Sequence, residues 1–344
     1  MKKWRRRDTA WRVIFFSLVF FSCFALLTQA SQKGTQEVRL GGGPAGGAKA
    51  MRMEGLAEAI RRTNPAMQTR VMSGVHSLGA LGMMARGELE LEVWGPDIIL
   101  DAIKGEFGGK KVKVGPTDIN VISPSHSARA AVILLDKVPI NSISELKEKK
   151  YPIKLGIGPK GSNFEIRNRA VLEVYGITYD GIKSWGGKAM FTGDTATIDL
   201  MRDGMADGFV NFGTHPSGKI QELASSRNLK IFTVSDPEAI KRSMPFGFTQ
   251  TELPKDTYAF MKEDMTTIEN MESIVGPAKL DNQVAYGITR GIWENRNYLY
   301  NVHPLYKASL QPKVITQWAA GLRALGIKIH PGALKYWQEQ GLVK

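Results

Sequence analysis

The sequence is poor in the residues that build disulfides, metal sites and hydrolytic centres. Its 344 residues include a single cysteine, Cys23, which excludes an internal disulfide and a multi-cysteine metal site. The five histidines show no metal-ligand spacing, and neither an H-E-x-x-H zinc motif nor a G-x-S-x-G nucleophile elbow occurs. We therefore predict a protein without catalytic residues, without a metal and without a cofactor.

Long apolar runs are lacking after the first 30 residues, but those 30 residues have a three-part layout. Six basic residues and Asp8 precede the uncharged segment 13–27, which is shorter than the ~20 residues of a membrane span. Small residues at Thr28 and Ala30 follow. This layout is typical of a secretory signal peptide, and we predict cleavage after Ala30, with an uncleaved anchor as the alternative.

The net charge of the mature chain depends on whether the first 30 residues are removed. Cleavage removes six bases and one acid, which lowers the net charge from +13 to +8. That excess is too small to predict nucleic-acid binding. The residues before Cys23 fit a lipidation site poorly, so we expect the mature chain to be periplasmic and not membrane-spanning.

The remainder has globular composition, with 43% apolar and 23% charged residues, and it alternates strands with helices. Strands are predicted at 38–40, 68–72, 89–93 and 130–135, and helices at 48–62 and 77–86. Residues 122–127 and 243–254 are interpreted as two crossings between halves, with a strand–helix series from 153 to 234 between them. We interpret 255–275 as a helix with a charged, solvent-facing side, and the chain from 281 onward as helical.

One pattern occurs twice. The segment 38–47 (VRLGGGPAGG) aligns with 153–162 (IKLGIGPKGS), with identical Leu, Gly, Gly, Pro and Gly at matched positions. Each copy is a strand, a glycine loop and a helix start, and helix N-termini attract anions. Two such units predict two lobes that bind an anion between them, although glycine turns that merely connect strand to helix are the alternative.

Nucleotide motifs do not explain these loops. Both copies satisfy G-x-G-x-x-G, but the strand after the first loop ends at Ser73 without the acidic residue that a dinucleotide site needs. The segment around Lys49 lacks the Ser or Thr of a phosphate-binding P-loop. We therefore favour a small anionic ligand.

Several segments resemble the extracytoplasmic solute receptors of TRAP transporters, in the TAXI (TRAP-associated extracytoplasmic immunogenic) family. The resemblance runs from about residue 38 to 342. It rests on the two glycine loops and on the segments 142–147 (SISELK), 203–208 (DGMADG), 213–216 (GTHP) and, most specifically, 330–336 (HPGALKY). The first loop departs from the family pattern with Pro44-Ala45, and residues 73–76 match only loosely.

The resemblance implies a two-lobed α/β periplasmic binding protein of type II, with mixed, mostly parallel sheets joined by two hinge crossings. Lobe one would comprise 31–123 plus 246–344, and lobe two 124–245. The receptor would capture a small organic anion, such as glutamate or a related carboxylate. It would then deliver that ligand to the membrane subunits of a TRAP transporter.

The candidate ligand-binding residues lie at strand ends, helix starts and the first crossing. They are Pro44, Ala45, Gly46, Ser73, Gly74, His76, Trp94, Pro96, Ser125, Gly161, Ser162, Asn163, Asn211, Thr214 and His215. Most have a structural alternative: Ser73 as a helix cap, Trp94 as core, and Ser125 with His126 as a solvated hinge. Ser162 is predicted to hold the anionic group directly. Lys49 and Arg167 could pair a carboxylate or be solvated helix charges.

Two other classes of protein stay open. An exported enzyme could act on a small anionic metabolite in the same cleft, but it would need a nucleophile with a base, or an acid–base pair. A scaffold or adhesion protein would bind no small molecule.

Overall fold

A computed structural model describes residues 36–43, 48–75, 77–113, 115 and 117–344. The predicted signal peptide lies outside these residues. The first part of the chain alternates strands and helices as β1 Gln36–Gly43, α1 Ala48–Thr63, β2 Met67–Ser73, α2 Ser77–Arg86, β3 Glu92–Trp94 and α3 Pro96–Lys104. A short hairpin follows, β4 Glu106–Phe107 with β5 Lys110–Lys111, and then the long strand β6 Ile119–Leu135.

The middle of the chain repeats the alternation. It comprises α4 Ile143–Glu148, β7 Lys154–Gly156, α5 Asn163–Glu173, α6 Tyr179–Ser184, β8 Lys188–Met190, α7 Asp194–Arg202, β9 Gly208–Gly213, α8 Gly218–Ala224, β10 Leu229–Phe232 and α9 Pro237–Ser243. The last part has β11 Thr249–Leu253, β12 Met265–Pro277, α10 Asn282–Glu294, α11 Arg296–Val302, α12 Pro304–Ser309, α13 Pro312–Ala324 and α14 Pro331–Glu339. Single 3₁₀ turns flank β11 at Met244–Phe246 and Lys255–Thr257.

The strands form mixed sheets. β1 pairs with β2 in parallel, and β7 pairs in parallel with β8 and β9. The long strands β6 and β12 are antiparallel to each other and join the two halves, because β3 pairs with β12 and β9 pairs with β6, both antiparallel. β10 and β11 extend the sheet along β6 and β12. The predicted α/β class with two lobes is confirmed.

Separate hydrophobic cores define the two lobes. One cluster contains side chains from Ala128 to Ile268 and fills lobe two. Two further clusters pack in lobe one, with Trp94 and Trp337 in one and Leu40 and Leu56 in the other. β6 and β12 contribute to the cores of both lobes, because Ile122 and Ile274 pack in lobe one while Ala131 and Ile268 pack in lobe two. The chain therefore passes between the lobes within these two strands.

The return crossing lies further along the chain than the sequence predicts. Phe248, Leu253 and Tyr258 belong to the core of lobe two, so the chain returns within β12 and not at 243–254. The predicted helix over 255–275 is wrong: most of its length is β12, whose β-branched residues suit a half-buried strand. The first predicted crossing, 122–127, lies inside β6.

The C-terminal region is helical as predicted, and its helices cover lobe one. The Trp337 indole nitrogen donates to the Ile122 carbonyl at 2.9 Å, which ties α14 to β6. Over the stretches of chain that the structure describes, every helix is too short or too polar to span a membrane.

Candidate ligand-binding site

The site lies where β6 and β12 pass between the lobes. His126 on β6 faces Glu272 on β12 in the strand register, and Ser123 and Ser273 are fully buried nearby on the same strands. Polar side chains in the middle of paired strands are costly unless they are hydrogen-bonded. Their presence here, between two apolar cores, marks a polar junction between the lobes.

Arg167 connects the lobes through an ionic network. It projects from α5 of lobe two, with a side chain only 3% exposed, and its Nε lies 3.1 Å from Asp97 Oδ2 on α3 of lobe one. Its Nη1 donates to Glu272 Oε1 on β12. Asp97 also accepts from Asn270 Nδ2 at 3.2 Å. Burial alone would lower the pKa of Arg167, but the two carboxylates outweigh it and raise the pKa. Arg167 is therefore charged and already neutralised by the protein.

A second buried ion pair lies in lobe one, at the start of α1. Lys49 Nζ donates to Glu92 Oε1 on β3, and the Val93 amide donates to the same oxygen at 2.8 Å. Glu92 is fully buried, and its Oε2 has no hydrogen-bond partner in the described chain. Burial raises the pKa of Glu92 although Lys49 opposes it. Gly41 allows this packing, because a Cβ there would lie 2.2 Å from Oε2.

His126 lies among cations. Its side chain is 7% exposed, its Nδ1 lies 3.1 Å from Ser125 Oγ, and its Nε2 is 3.8 Å from Glu272 Oε2. Burial lowers the pKa of His126 well below its ordinary value, and a positive field lowers it further. The cations that add to this shift are Arg52 and Lys49 of lobe one and Arg167 of lobe two. Because Lys49 and Arg167 are paired with carboxylates, the junction holds buried side chains of both signs.

The start of α5 in lobe two is closed by the protein's own carboxylate. Ser162 Oγ accepts from the Glu165 amide at 3.2 Å, which makes Ser162 the N-cap of α5. Glu165 Oε2 accepts from the Gly161 amide at 3.2 Å, and its Oε1 accepts from the Tyr179 hydroxyl at 2.7 Å. This is a variant of the capping box, because the first-turn carboxylate accepts from the amide of Gly161, one residue before the N-cap. Burial raises the pKa of Tyr179, and its bond to Glu165 raises it further.

The end of β9 is held by hydrogen bonds inside lobe two. His215 is buried, and its Nδ1 lies 2.7 Å from the Tyr258 hydroxyl, which also accepts from the Ser217 amide at 2.9 Å. Burial lowers the pKa of His215 to about 4. Asn211 is buried on β9, and Thr214 is half-buried. In the described chain no group of three or more His, Cys, Asp or Glu side chains could hold a metal ion.

A comparison of the sequence with models of known protein families gives one match. The profile of the NMT1-like family matches residues 40–341, which is most of the chain. The chain belongs to the NMT1-like family.

Several solved structures are similar in fold to this NMT1-like protein. MatC from Rhodopseudomonas palustris, solved with bound malate, aligns over 85% of this chain and 98% of its own, with 9% identity and a TM-score of 0.50. The periplasmic binding protein BugD aligns over 86% of this chain and 99% of its own, with 15% identity and a TM-score of 0.45. A TRAP periplasmic solute-binding protein from Ochrobactrum anthropi aligns over 90% and 88%, with 13% identity and a TM-score of 0.42. The MatC likeness concerns the fold alone.

The structure brings some predicted residues of this NMT1-like protein to the junction and places others elsewhere. Ser125 lies at the junction beside His126, and the charges of Lys49 and Arg167 act there. Trp94 is fully buried in the core of lobe one, and Pro96 is the buried first residue of α3. Ser73 ends β2 and does not cap α2, which begins at Ser77. Gly74 is exposed, with φ 76°. Asn163 opens α5, while Pro44, Ala45, Gly46 and His76 lie outside the described residues.

The sequence interpretation missed the acids of the junction and two further residues, Arg52 and His303. No sequence motif marks the three acids. Glu92 and Glu272 pair with residues that are distant in sequence, and Glu165 acts by capping the start of α5. Arg52 lies on α1 and His303 follows α11, two helices that pack against each other. The one usable signal was the pattern Ser162-x-x-Glu165, which is a capping box in sequence.

Proposed function

We propose that this protein is an extracytoplasmic solute receptor of the TAXI type. It captures a small organic anion between its lobes and delivers it to the membrane subunits of a TRAP-type transporter. Residues 1–30 direct export to the periplasm. The mechanism is binding coupled to lobe closure, without covalent chemistry, so the ligand shifts the population toward the closed state.

One observation carries this proposal: buried charged side chains from both lobes converge at the strands that join them. Arg167 from lobe two pairs with Asp97 of lobe one and with Glu272 on β12, and His126 on β6 lies opposite Glu272 in the strand register. Buried charges are costly unless polar partners balance them, and a ligand anion that enters the junction can exchange contacts with charged groups of both lobes at once. Such an anion favours closure because it gains contacts with both lobes only in the closed state.

A ligand panel tests the proposal. Purified protein is melted with amino acids, dicarboxylates, hydroxy acids and keto acids, and small-angle scattering follows compaction. A true ligand at 100 times its Kd stabilises the fold by ~2.7 kcal/mol and reduces the radius of gyration. If no compound shifts melting at millimolar concentration, the receptor proposal is contradicted. If a compound is turned over, an exported enzyme is the better account.

A further inference from the structure

We infer that helix α5 of lobe two and the β4–β5 hairpin of lobe one form a clamp that holds the lobes together outside the polar junction. The clamp consists of Ile166 and Arg169 on α5 and Gly108 in the hairpin. The inference rests on the proposed receptor function, because a clamp regulates binding only if the lobes open and close. It gives α5 a conformational role in addition to the capping of its start.

The hairpin is shaped by two glycines and is fixed to lobe one. Gly108 and Gly109 form its two-residue turn, with φ values of 61° and 72°, and tight hairpin turns favour such positive values. The Gly109 amide donates to Asp101 Oδ2 on α3 at 2.9 Å, and Phe107 packs in a core cluster of lobe one. The turn is therefore a firmly held projection of lobe one.

Helix α5 contacts this turn. Arg169 Nη2 donates to the Gly108 carbonyl at 2.9 Å, and Ile166 packs against the lobe-one cluster that contains Phe107. A Cβ at Gly108 would lie 2.9 Å from Arg169 Nη2 and 3.0 Å from Ile166 Cγ1, so any side chain there would have to displace them. The helix itself belongs to lobe two, because Val171 lies in the core of that lobe. The contact therefore joins the two lobes.

Lobe two holds Arg169 in the position from which it reaches the hairpin. Its Nε lies 3.3 Å from Glu165 Oε1, and its Nη1 lies 3.5 Å from Glu173 Oε1. Glu165 is itself fixed by the Gly161 amide and the Tyr179 hydroxyl. The carboxylate that caps α5 therefore also orients the arginine, which reduces the side-chain entropy lost when Arg169 bonds across the lobes.

The clamp differs from the ion pair between Arg167 and Asp97, which also links the lobes. Arg167 binds Glu272 on β12 as well, and β12 is one of the two strands that pass between the lobes. Contacts beside those strands change least when the lobes rotate apart. Gly108 and Arg169 both lie outside β6 and β12, so lobe opening breaks the hydrogen bond between them.

The clamp favours the closed state before a ligand is bound. Its hydrogen bond and its apolar contact form only when the lobes meet, and both shift the population toward closure. When only the closed state binds, the apparent Kd equals the intrinsic Kd divided by the closed fraction. The clamp therefore tightens binding without touching the ligand.

Small-angle scattering of the protein without added ligand tests the clamp with a matched pair of variants. Asparagine tolerates a positive φ, so it suits both positions of the turn. Gly108→Asn places a side chain against Ile166 and Arg169 and should increase the radius of gyration. Gly109→Asn is the control and should leave it unchanged, because a Cβ at Gly109 meets nothing within 4 Å. Ile166→Ala leaves the turn intact and should also expand the protein.

Disulfide formation measures the same contact directly. A Cβ at Gly108 lies 3.0 Å from Ile166 Cγ1, which is one bond from the Ile166 Cβ, so the two Cβ atoms lie within the ~4.5 Å that a disulfide spans. Cys23→Ser removes the sole native cysteine. In that background, Gly108→Cys with Ile166→Cys should oxidise about tenfold faster than Gly109→Cys with Ile166→Cys.

The outcomes separate the clamp from the receptor function. Equal radii of gyration for Gly108→Asn and Gly109→Asn, or equal oxidation rates for the two cysteine pairs, overturn the clamp. If Gly108→Asn does not fold, an unchanged radius of gyration in Ile166→Ala overturns it instead. The receptor function still stands if a compound of the ligand panel compacts the unchanged protein. If neither the variants nor any panel compound alters the radius of gyration, the lobes do not move, which contradicts both proposals.

Discussion

The two strand–glycine–helix units share a sequence pattern but differ in charge where their helices begin. α5 in lobe two carries Glu165 in its first turn, and this carboxylate binds back to Gly161. α1 in lobe one has no acid in its first turn and carries Lys49 and Arg52 instead. The shared glycines therefore predict a common backbone route, while residues just beyond them decide whether the helix start attracts an anion.

The largest expected effect is a difference in unfolding free energy between substitutions of two arginines. Arg167 in lobe two is neutralised by carboxylates, whereas Arg52 in lobe one is unpaired. Arg167→Met leaves Asp97 and Glu272 buried without their cation, and breaking such a network costs about 3–5 kcal/mol of unfolding free energy. Urea denaturation measures the loss. Arg52→Gln strands no buried acid and should cost less than about 1 kcal/mol.

The matched control on the same helix is Arg169→Met. Arg169 is 24% exposed and pairs with Glu165 and Glu173, so its loss should cost no more than ~1 kcal/mol. If Arg167→Met costs as little as Arg169→Met, the two carboxylates reach water or protonate without penalty. The contrast between Arg167 and Arg52 would then be wrong.

The next effect concerns His215 in lobe two, whose titration should make the stability of the protein depend on pH. Burial lowers the pKa of His215 to about 4 from an ordinary value near 6.5. The folded state therefore binds fewer protons than the unfolded state between these values, so stability is full above pH 6.5 and falls as the pH drops towards 4. The loss amounts to roughly 3 kcal/mol.

His215→Asn isolates this contribution, because asparagine retains an acceptor near the Nδ1 position but does not titrate. Unfolding free energies measured from pH 7 to pH 4.5 should fall less steeply in the variant. Equal slopes in the two proteins would show that His215 is not buried as a neutral ring, and that the pH response comes from other histidines.

The sequence predicted the fold well because its signals are local. The alternation of strands and helices and the glycine loops predicted α1, α2, β1 and β2 within a few residues of their observed bounds. The segment 255–275 was misinterpreted, because more than half of it belongs to a strand that lies between β11 and β6. That pairing partner is far away in sequence and is not visible in a local pattern.

The site was predicted less well because its charges are balanced over long sequence separations. Arg167 meets Glu272, which lies more than 100 residues away along the chain, and Lys49 meets Glu92 on another strand. Nothing in either local sequence distinguishes a cation that is paired from one that is free. The Ser162 prediction shows the same limit, since a helix start was identified but the carboxylate that caps it was overlooked.

Ser162→Ala tests whether the α5 start is structural. Removing the cap to Glu165 should lower the free energy of unfolding by ~1 kcal/mol, measured by urea denaturation. Ligand affinity should stay within about twofold, because the protein's own Glu165 already engages the groups at this helix start. A loss of affinity of about tenfold or more, with unchanged apo stability, would instead favour the ligand contact that the sequence predicts.

The smallest effect concerns the charge balance between Lys49 and Glu92 at the start of α1. Burial raises the pKa of Glu92, so the folded protein holds this proton to higher pH than the unfolded chain does. The ionised carboxylate therefore reduces stability as the pH rises above the ordinary value of ~4.3. Glu92→Gln keeps the acceptor for Lys49 and the Val93 amide without a charge. It should raise the free energy of unfolding at pH 7 by about 1 kcal/mol or less, and the gain should vanish near pH 4.

Lys49→Met provides the opposite case, because it leaves the Glu92 carboxylate buried without its cation and should destabilise the protein at pH 7. The two variants should also differ in binding, since Glu92→Gln frees the charge of Lys49 and should tighten the binding of an anionic ligand. If Glu92→Gln instead lowers stability at pH 7, the Lys49–Glu92 pair is favourable as an ion pair. The start of α1 would then be neutralised by a carboxylate just as α5 is, and only Arg52 would distinguish the two helix starts.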